Sequence, residues 1–333
     1  MSETIKFLKK TWHKDAIELH LKAGLSGRKI AALIGRSKSQ VNDVIKAYKS
    51  FGGFGVTESP KGTPAKGTPA KGTPKVLVFD LETSPELSYH FGRYQVNIQD
   101  TFNVLPSYLL SFSAKWLGQD EIITMGLPYF DDYDKDNLCD KRLCYELHKL
   151  LDEADVVIAH NLKGFDWKVA QTRLILNGFD PISPTKLVDT LLIARSNFKF
   201  PTNRLDTIAR QLGVGEKLQH SGASLWMGCL QGDEESWNMM LEYNTVDVEI
   251  LESVYLKLRP YDKTAPNMAI LYDDNELRCV CCGSTNLELT DKRSFTGTSS
   301  YQIHRCKDCG KHNRSRTNVL PKDKRKSLLA NAT

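Results

Sequence analysis

The chain has 333 residues, 41% hydrophobic and 26% charged, with a formal net charge of +5. Those proportions are ordinary for a soluble protein with one large core and one or two small extra modules. No run approaches the roughly 18 apolar residues of a membrane span, and the start MSETIKFLKK does not read as a signal peptide. The expectation is a cytoplasmic protein with no membrane partner, whose eight cysteines are not disulfides.

The net charge hides a pattern. Residues 1–75 carry 15 Lys/Arg against 5 Asp/Glu, residues 76–274 carry 18 against 30, and residues 275–333 carry 12 against 5. Two basic ends therefore flank an acidic middle. The ends suit a polyanion, which the middle repels unless cations neutralise it.

Residues 1–50 show no strand pattern and read as three helices. Ala16, Ile17, Leu19 and Leu21 belong to the first. Ser26 caps a second, GRKIAALIG, that buries Ile30, Ala31 and Ile34 and ends at Gly35. Ser37 starts a third, with Val41, Val44, Ile45 and Tyr48 on its apolar face. The spacing of Ala31, Gly35 and Val41 resembles a helix-turn-helix DNA-binding unit. That resemblance puts the third helix in the major groove, with Ser37, Lys38, Ser39, Gln40 and Asn42 against bases or phosphates and Lys46 and Lys49 on phosphates. A small helical bundle used for protein contacts is the plainer alternative. Residues 51–75 follow as a linker. Their KGTPA repeats have no apolar side to bury, so the segment reads as a solvated tether spanning roughly 25–30 Å.

Residues 76–265 read as an α/β domain. Strands are expected at 76–80, 108–116, 121–126 and 155–160, the first three antiparallel and the last joined through a helix at about 138–151. Further helices are expected at 165–177, 204–213 and 234–257. Three motifs lie on these elements. In VLVFDLETSP an apolar strand delivers Asp80 and Glu82, two apart and so on one side. In DVVIAHNLKGFDWKVA a second strand ends at His160-Asn161, and Asp166 opens a helix whose dipole favours an anion. In EYNTVDVEIL, Tyr243 and Asp247 stack one helical turn apart. Carboxylates converging from separate elements are what two divalent cations about 4 Å apart require, and hard oxygen ligands suit Mg²⁺ or Mn²⁺.

In order, D-x-E, N-x3-F-D and Y-x3-D resemble the DEDD exonuclease superfamily in its tyrosine-bearing branch. The likeness is greatest to the RNase H-like proofreading domain of family B DNA polymerases and its stand-alone phage and bacterial relatives. It covers roughly residues 75–260. It implies a mixed sheet flanked by helices, with Asp80, Glu82, Asp166 and Asp247 holding two Mg²⁺ or Mn²⁺ ions and Tyr243 orienting the attacking water. Asn161 is placed against the nucleic acid, although its residue type equally suits a turn. Asp189, in KLVDTLLIAR, reads as the N-cap of the helix after it. Asn203, Arg204 and Lys217 are placed near the substrate strand by position. The irregular stretch 84–107 carries Tyr89, Phe91, Tyr94 and Phe102, suited either to packing or to stacking unpaired bases. Cys139, Cys144 and Cys229 lack ligand spacing and read as small buried hydrophobes.

RCVCCGSTNL and HRCKDCGKH hold two Cys-x-x-Cys-Gly knuckles separated by 23 residues. Residues 275–316 thus resemble a zinc ribbon, with Cys279, Cys282, Cys306 and Cys309 around one structural Zn²⁺. Cys281 is an extra member that either points away or substitutes for a neighbour. Strands are expected around Leu287/Leu289 and Tyr301/Ile303, and residues 317–333 form a basic tail.

The expectation from the whole is a two-metal nuclease, a 3′–5′ exonuclease with DNA as its partner. A phage-type DNA-processing protein in a bacterial host follows by analogy of architecture, with no attached polymerase. The same site also serves structure-specific endonucleases and ribonucleases. A DNA-binding regulator with a degenerate core is the rival from another class.

Overall fold

The structure, a computed structural model, describes residues 27–34, 36–42, 72–92, 94 and 97–330. The chain divides into two units, Met1–Thr68 and Pro69–Thr333. In the first, α1 (Gly27–Ile34) buries Ile30 and Ala31. The N–H of Arg36 donates to Ala31 O at 3.1 Å beyond the helix end. A second helix begins at Ser37. Ser37 and Gln40 close a reciprocal capping box, Gln40 N donating to Ser37 Oγ and Ser37 N to Gln40 Oε1, both 3.2 Å. Val41 is fully buried, and Lys38, Ser39 and Gln40 are exposed. Ser26, Gly35, the helix expected before them, Val44, Ile45, Lys46, Tyr48, Lys49 and the repeats up to residue 71 lie outside the described residues.

The second unit is organised by β1 (Val76–Thr83), whose residues Val76–Phe79 and Leu81 are buried. A strand apolar on both faces belongs in the centre of a covered sheet. With β4 (Leu109–Trp116), β5 (Ile122–Gly126), β6 (Val156–Ala159) and β7 (Lys186–Asp189) it forms a five-stranded sheet of order β5-β4-β1-β6-β7. β1, β4 and β5 pair antiparallel, while β6 and β7 continue parallel to β1. Helix α2 (Lys141–Glu153) makes the crossover from β5 to β6 and buries Leu143, Cys144, Leu147 and Leu151, one stripe at helical spacing. Helices α3 (Asp166–Leu176) and α4 (Thr190–Asn197) flank β7, followed by α5 (Leu205–Leu212) and α6 (Ala223–Leu230). The 25-residue α7 (Glu234–Leu258) packs across β1, β4 and β5. This is the mixed α/β sheet flanked by helices expected from the sequence.

Several details differ from expectation. β7 and α6 have no counterpart among the expected elements: KLVD is a four-residue edge strand with an exposed Lys186, too short for a pattern to register. The stretch 84–107 contains a small hairpin of β2 (Leu87–Ser88) and β3 (Asn103–Leu105), with Tyr89, Phe91 and Tyr94 exposed. Cys144 and Cys229 are buried, but Cys139 is exposed, because it lies in the turn ahead of α2.

The carboxy-terminal sheet is antiparallel, of order β10-β9-β8: β8 (Leu287–Thr296), β9 (Ser299–Cys306) and β10 (His312–Asn318). The third strand, HNRSRTN, is too polar to announce itself by alternation. A short helix, α8 (Lys322–Ser327), lies within the basic tail.

Candidate active site and metal centres

Asp80 and Glu82 lie on one side of β1 because strand residues two apart share a face. Tyr243, Asn244 and Asp247 come from the middle of α7, which crosses that face. Carboxylate oxygens of Asp80, Glu82 and Asp247 converge within 4.8 Å of one another. Asn244 Nδ2 donates to Asp80 Oδ2 at 2.8 Å, and Ser111 Oγ on the neighbouring strand donates to Asn244 Oδ1 at 3.3 Å. Asp80 is thereby held in register with the helix. Asp166 is the first residue of α3, nearly fully buried, and the charge of Asp80 acts on it.

The loop that delivers Asp166 is tightly specified. Asn161 has a left-handed φ of 71°, a conformation its short polar side chain tolerates. Its Oδ1 would lie 2.4 Å from a Cβ at Gly164, so the Asn161 side chain keeps this position only beside a glycine. Asp189 caps α4 through Leu191 N at 3.0 Å, as expected, and also accepts from Asn161 N at 3.1 Å and Lys163 N at 3.0 Å. His160 donates from Nε2 to Asn203 O at 2.9 Å and pairs with Thr190 through Nδ1 at 2.9 Å. Burial holds its pKa below the ordinary value, so the ring stays neutral.

The electrostatics are those of crowded acid groups. Burial, then the charge of Asp247, pushes the Asp80 carboxyl up to about 7. Glu82 and Asp166 are raised well above the ordinary range by burial and by Asp80, and Asp247 is raised by burial. Carboxylates in this state need a counter-charge before all of them ionise. Lys217 supplies one. Its ammonium pairs with Asp247 Oδ2 and donates to the Tyr243 hydroxyl at 3.0 Å. Asp247 Oδ1 is buried without a hydrogen-bond partner, an acceptor left for a cation. The donor set and that orphaned oxygen fit divalent metal.

Position alone puts Lys217 near the substrate strand; the structure sets it among the carboxylates. The second role of Asp189 and the part of Asn244 are equally invisible to spacing. Another hidden brace is the buried Asp140, gripped by Arg173 on α3 through two bonds of 2.7 and 2.9 Å while it also accepts from Leu109 N. Arg204 is exposed.

The four cysteines of the two knuckles form the second cluster, and Cys281 is not in it. Cys279···Cys309 and Cys282···Cys306 are 3.6 Å apart, near the roughly 3.8 Å that tetrahedral thiolates at about 2.3 Å from zinc require. Gly283 and Gly310, with φ of 75° and 80°, turn the two knuckles. Cys281 points instead to Arg259 O, 3.4 Å away at the end of α7.

A family model of the RNase H superfamily matches residues 77–259. The chain belongs to that superfamily, whose nucleases act on nucleic acid with divalent metals. Among solved structures, the family B DNA polymerase from the hyperthermophilic archaeon Pyrobaculum calidifontis shares 17% identity with a TM-score of 0.43, over 59% of this chain and 26% of the polymerase. The comparison with curated proteins gave no match.

Proposed function

We propose that the chain is a DNA-directed 3′–5′ exonuclease of the tyrosine-bearing DEDD type. The convergence of Asp80, Glu82 and Asp247 within 4.8 Å, with Tyr243 one turn before Asp247, carries this reading. Asp80, Glu82, Asp166 and Asp247 would hold two Mg²⁺ or Mn²⁺ ions. When bound, such ions stabilise charge on the scissile phosphate and acidify the attacking water. Tyr243, pushed up to about 12 by burial and by Asp247, stays a phenol and positions that water by hydrogen bonding rather than taking its proton. Lys217 fixes the phenol and offsets the charge of Asp247. In-line attack at phosphorus then expels the 3′-oxygen of the preceding nucleotide.

The remaining modules belong to the same proposal. The capped helix starting at Ser37 would read duplex DNA, and the tether would raise local substrate concentration without aligning the reaction. Cys279, Cys282, Cys306 and Cys309 would hold a structural Zn²⁺, since four thiolates leave no position for water. A cytoplasmic setting keeps those thiols reduced.

The test is digestion of 5′-labelled DNA, RNA, hybrid and junction substrates with and without Mn²⁺, with Asp166→Ala as control. The expected result is a metal-dependent ladder descending from the 3′ end, lost in the variant while DNA binding survives. Discrete internal cuts would replace the exonuclease reading by an endonuclease at the same residues. No cleavage of any substrate would leave a DNA-binding protein without this activity.

A further inference from the structure

The acidic body of the protein poses a question that the carboxylate site does not answer: where a polyanion is gripped. Between the end of α7 and the cysteine ribbon lies a groove of about 830 Å³, lined by Lys257, Arg259 and Tyr261 on one side and Arg305 and His312 on the other. The charges in and beside it are asymmetrically satisfied. Asp308, which also lines the groove, accepts from Ser284 Oγ at 2.5 Å and Asn286 Nδ2 at 2.7 Å, and the charge of Arg259 acts on it. Glu252, next to the groove, pairs with Lys115 at 2.5 Å and accepts from Gly118 N at 2.9 Å. Lys257, Arg259 and Arg305 have no ion pair among the described residues. Arg259 Nε is in addition buried with no acceptor. Tyr261, 55% exposed, adds an aromatic face.

The groove is joined to the carboxylate site. From Asp247 to Arg259 the helix rises about 18 Å at roughly 1.5 Å per residue. Val214 lines the groove, and Lys217, three residues on in the same loop, reaches Asp247 and Tyr243. Phosphates recur about every 3.4 Å along one strand of a duplex, so about five nucleotides span that distance.

We infer that this groove is a second nucleic-acid contact, holding sugar–phosphate backbone about five nucleotides from the scissile bond. The inference rests on the nuclease reading for its distance but not for its chemistry: cations from two elements with no ion pair among the described residues, beside an exposed aromatic ring, suit phosphate and sugar.

The test compares the full-length protein with Lys257→Gln/Arg305→Gln, both exposed positions. A labelled DNA of about 20 nucleotides is bound across a salt series with no Mg²⁺ or Mn²⁺ added. Each phosphate contact contributes a slope of about 0.7–0.9 in log Kd against log salt. The double variant should lose about 1.4–1.8 of that slope and bind more than about tenfold more weakly near 0.1 M salt. Its kcat/KM on a DNA of about three nucleotides, too short to reach the groove, should equal that of wild type. Lys257→Arg/Arg305→Lys should restore binding. Unchanged slope and affinity in the double variant would overturn the inference. So would loss of bound zinc from the double variant, which would assign these cations to the thiolate cluster instead. A wild type that binds with a groove-dependent slope but cleaves nothing would sink the nuclease reading and leave the groove standing.

Discussion

Replacing Lys217 with Met tests the electrostatic account of the site. Lys217 keeps 23% of its side chain exposed and Asp247 only 2%. Removing one partner of a fully buried pair costs about 3–5 kcal/mol. With Lys217 partly in water, about 2–3 kcal/mol is expected for the metal-free protein. Met preserves most of the volume, so little of this is a packing loss. In a unit of this size each kcal/mol shifts Tm by about 2–4 °C, giving a drop of roughly 4–12 °C. The assay is thermal unfolding of wild type, Lys217→Met, Asp247→Asn and the double variant, without and with saturating Mn²⁺. In the Asp247→Asn background the Lys217 substitution should cost little, because its partner is no longer charged. Mn²⁺ should cancel most of the single variant's deficit, because divalent charge takes over from the ammonium. A Tm within about 1 °C of wild type, or an equal loss in both backgrounds, would refute the reasoning.

Three other perturbations follow from the same geometry. The Asp80 carboxyl, raised from 3.8 to about 7, holds a proton in the folded chain that the unfolded chain has released. The metal-free protein should therefore lose stability as pH rises from about 4 through about 7. Asp80→Asn should flatten that loss in a melting series, and an undiminished slope in the variant would count against the assignment. Arg173→Met strips the buried Asp140 of its bidentate partner and should cost about 3–5 kcal/mol, read as a lower urea midpoint with an unchanged m-value; a shift below about 1 kcal/mol would contradict it. Gly164→Ala drives a Cβ to 2.4 Å from Asn161 Oδ1, forcing that side chain to swing aside while the backbone carrying Asp166 stays in place. Cleavage should fall if the Asn161 side chain contacts the substrate, and wild-type turnover would show that it does not.

Much of the candidate site is legible in the sequence. Asp80 with Glu82 and Tyr243 with Asp247 are pairs whose common direction follows from the periods of strand and helix alone. Each cysteine knuckle spans only a few residues, as does the pair Ser37 and Gln40 at the start of its helix. The strands β1, β4, β5 and β6 are readable because each carries an apolar run.

Other features are settled only where distant segments meet. Lys217 is 30 residues from Asp247, Asp140 is 33 from Arg173, and Asn244 is 164 from Asp80. Nothing local marks any of them as a partner. β7 becomes a strand because β6 offers it a free edge, and Asp189 braces the loop before Asp166 because that edge brings it there. The groove arises where the ribbon docks against the end of α7. Periodicity and spacing act over a few residues and so decide which side chains share a face. The pairing of charges across the fold depends on where separate elements come to rest, and that is decided by the packing of the sheet, α7 and the ribbon.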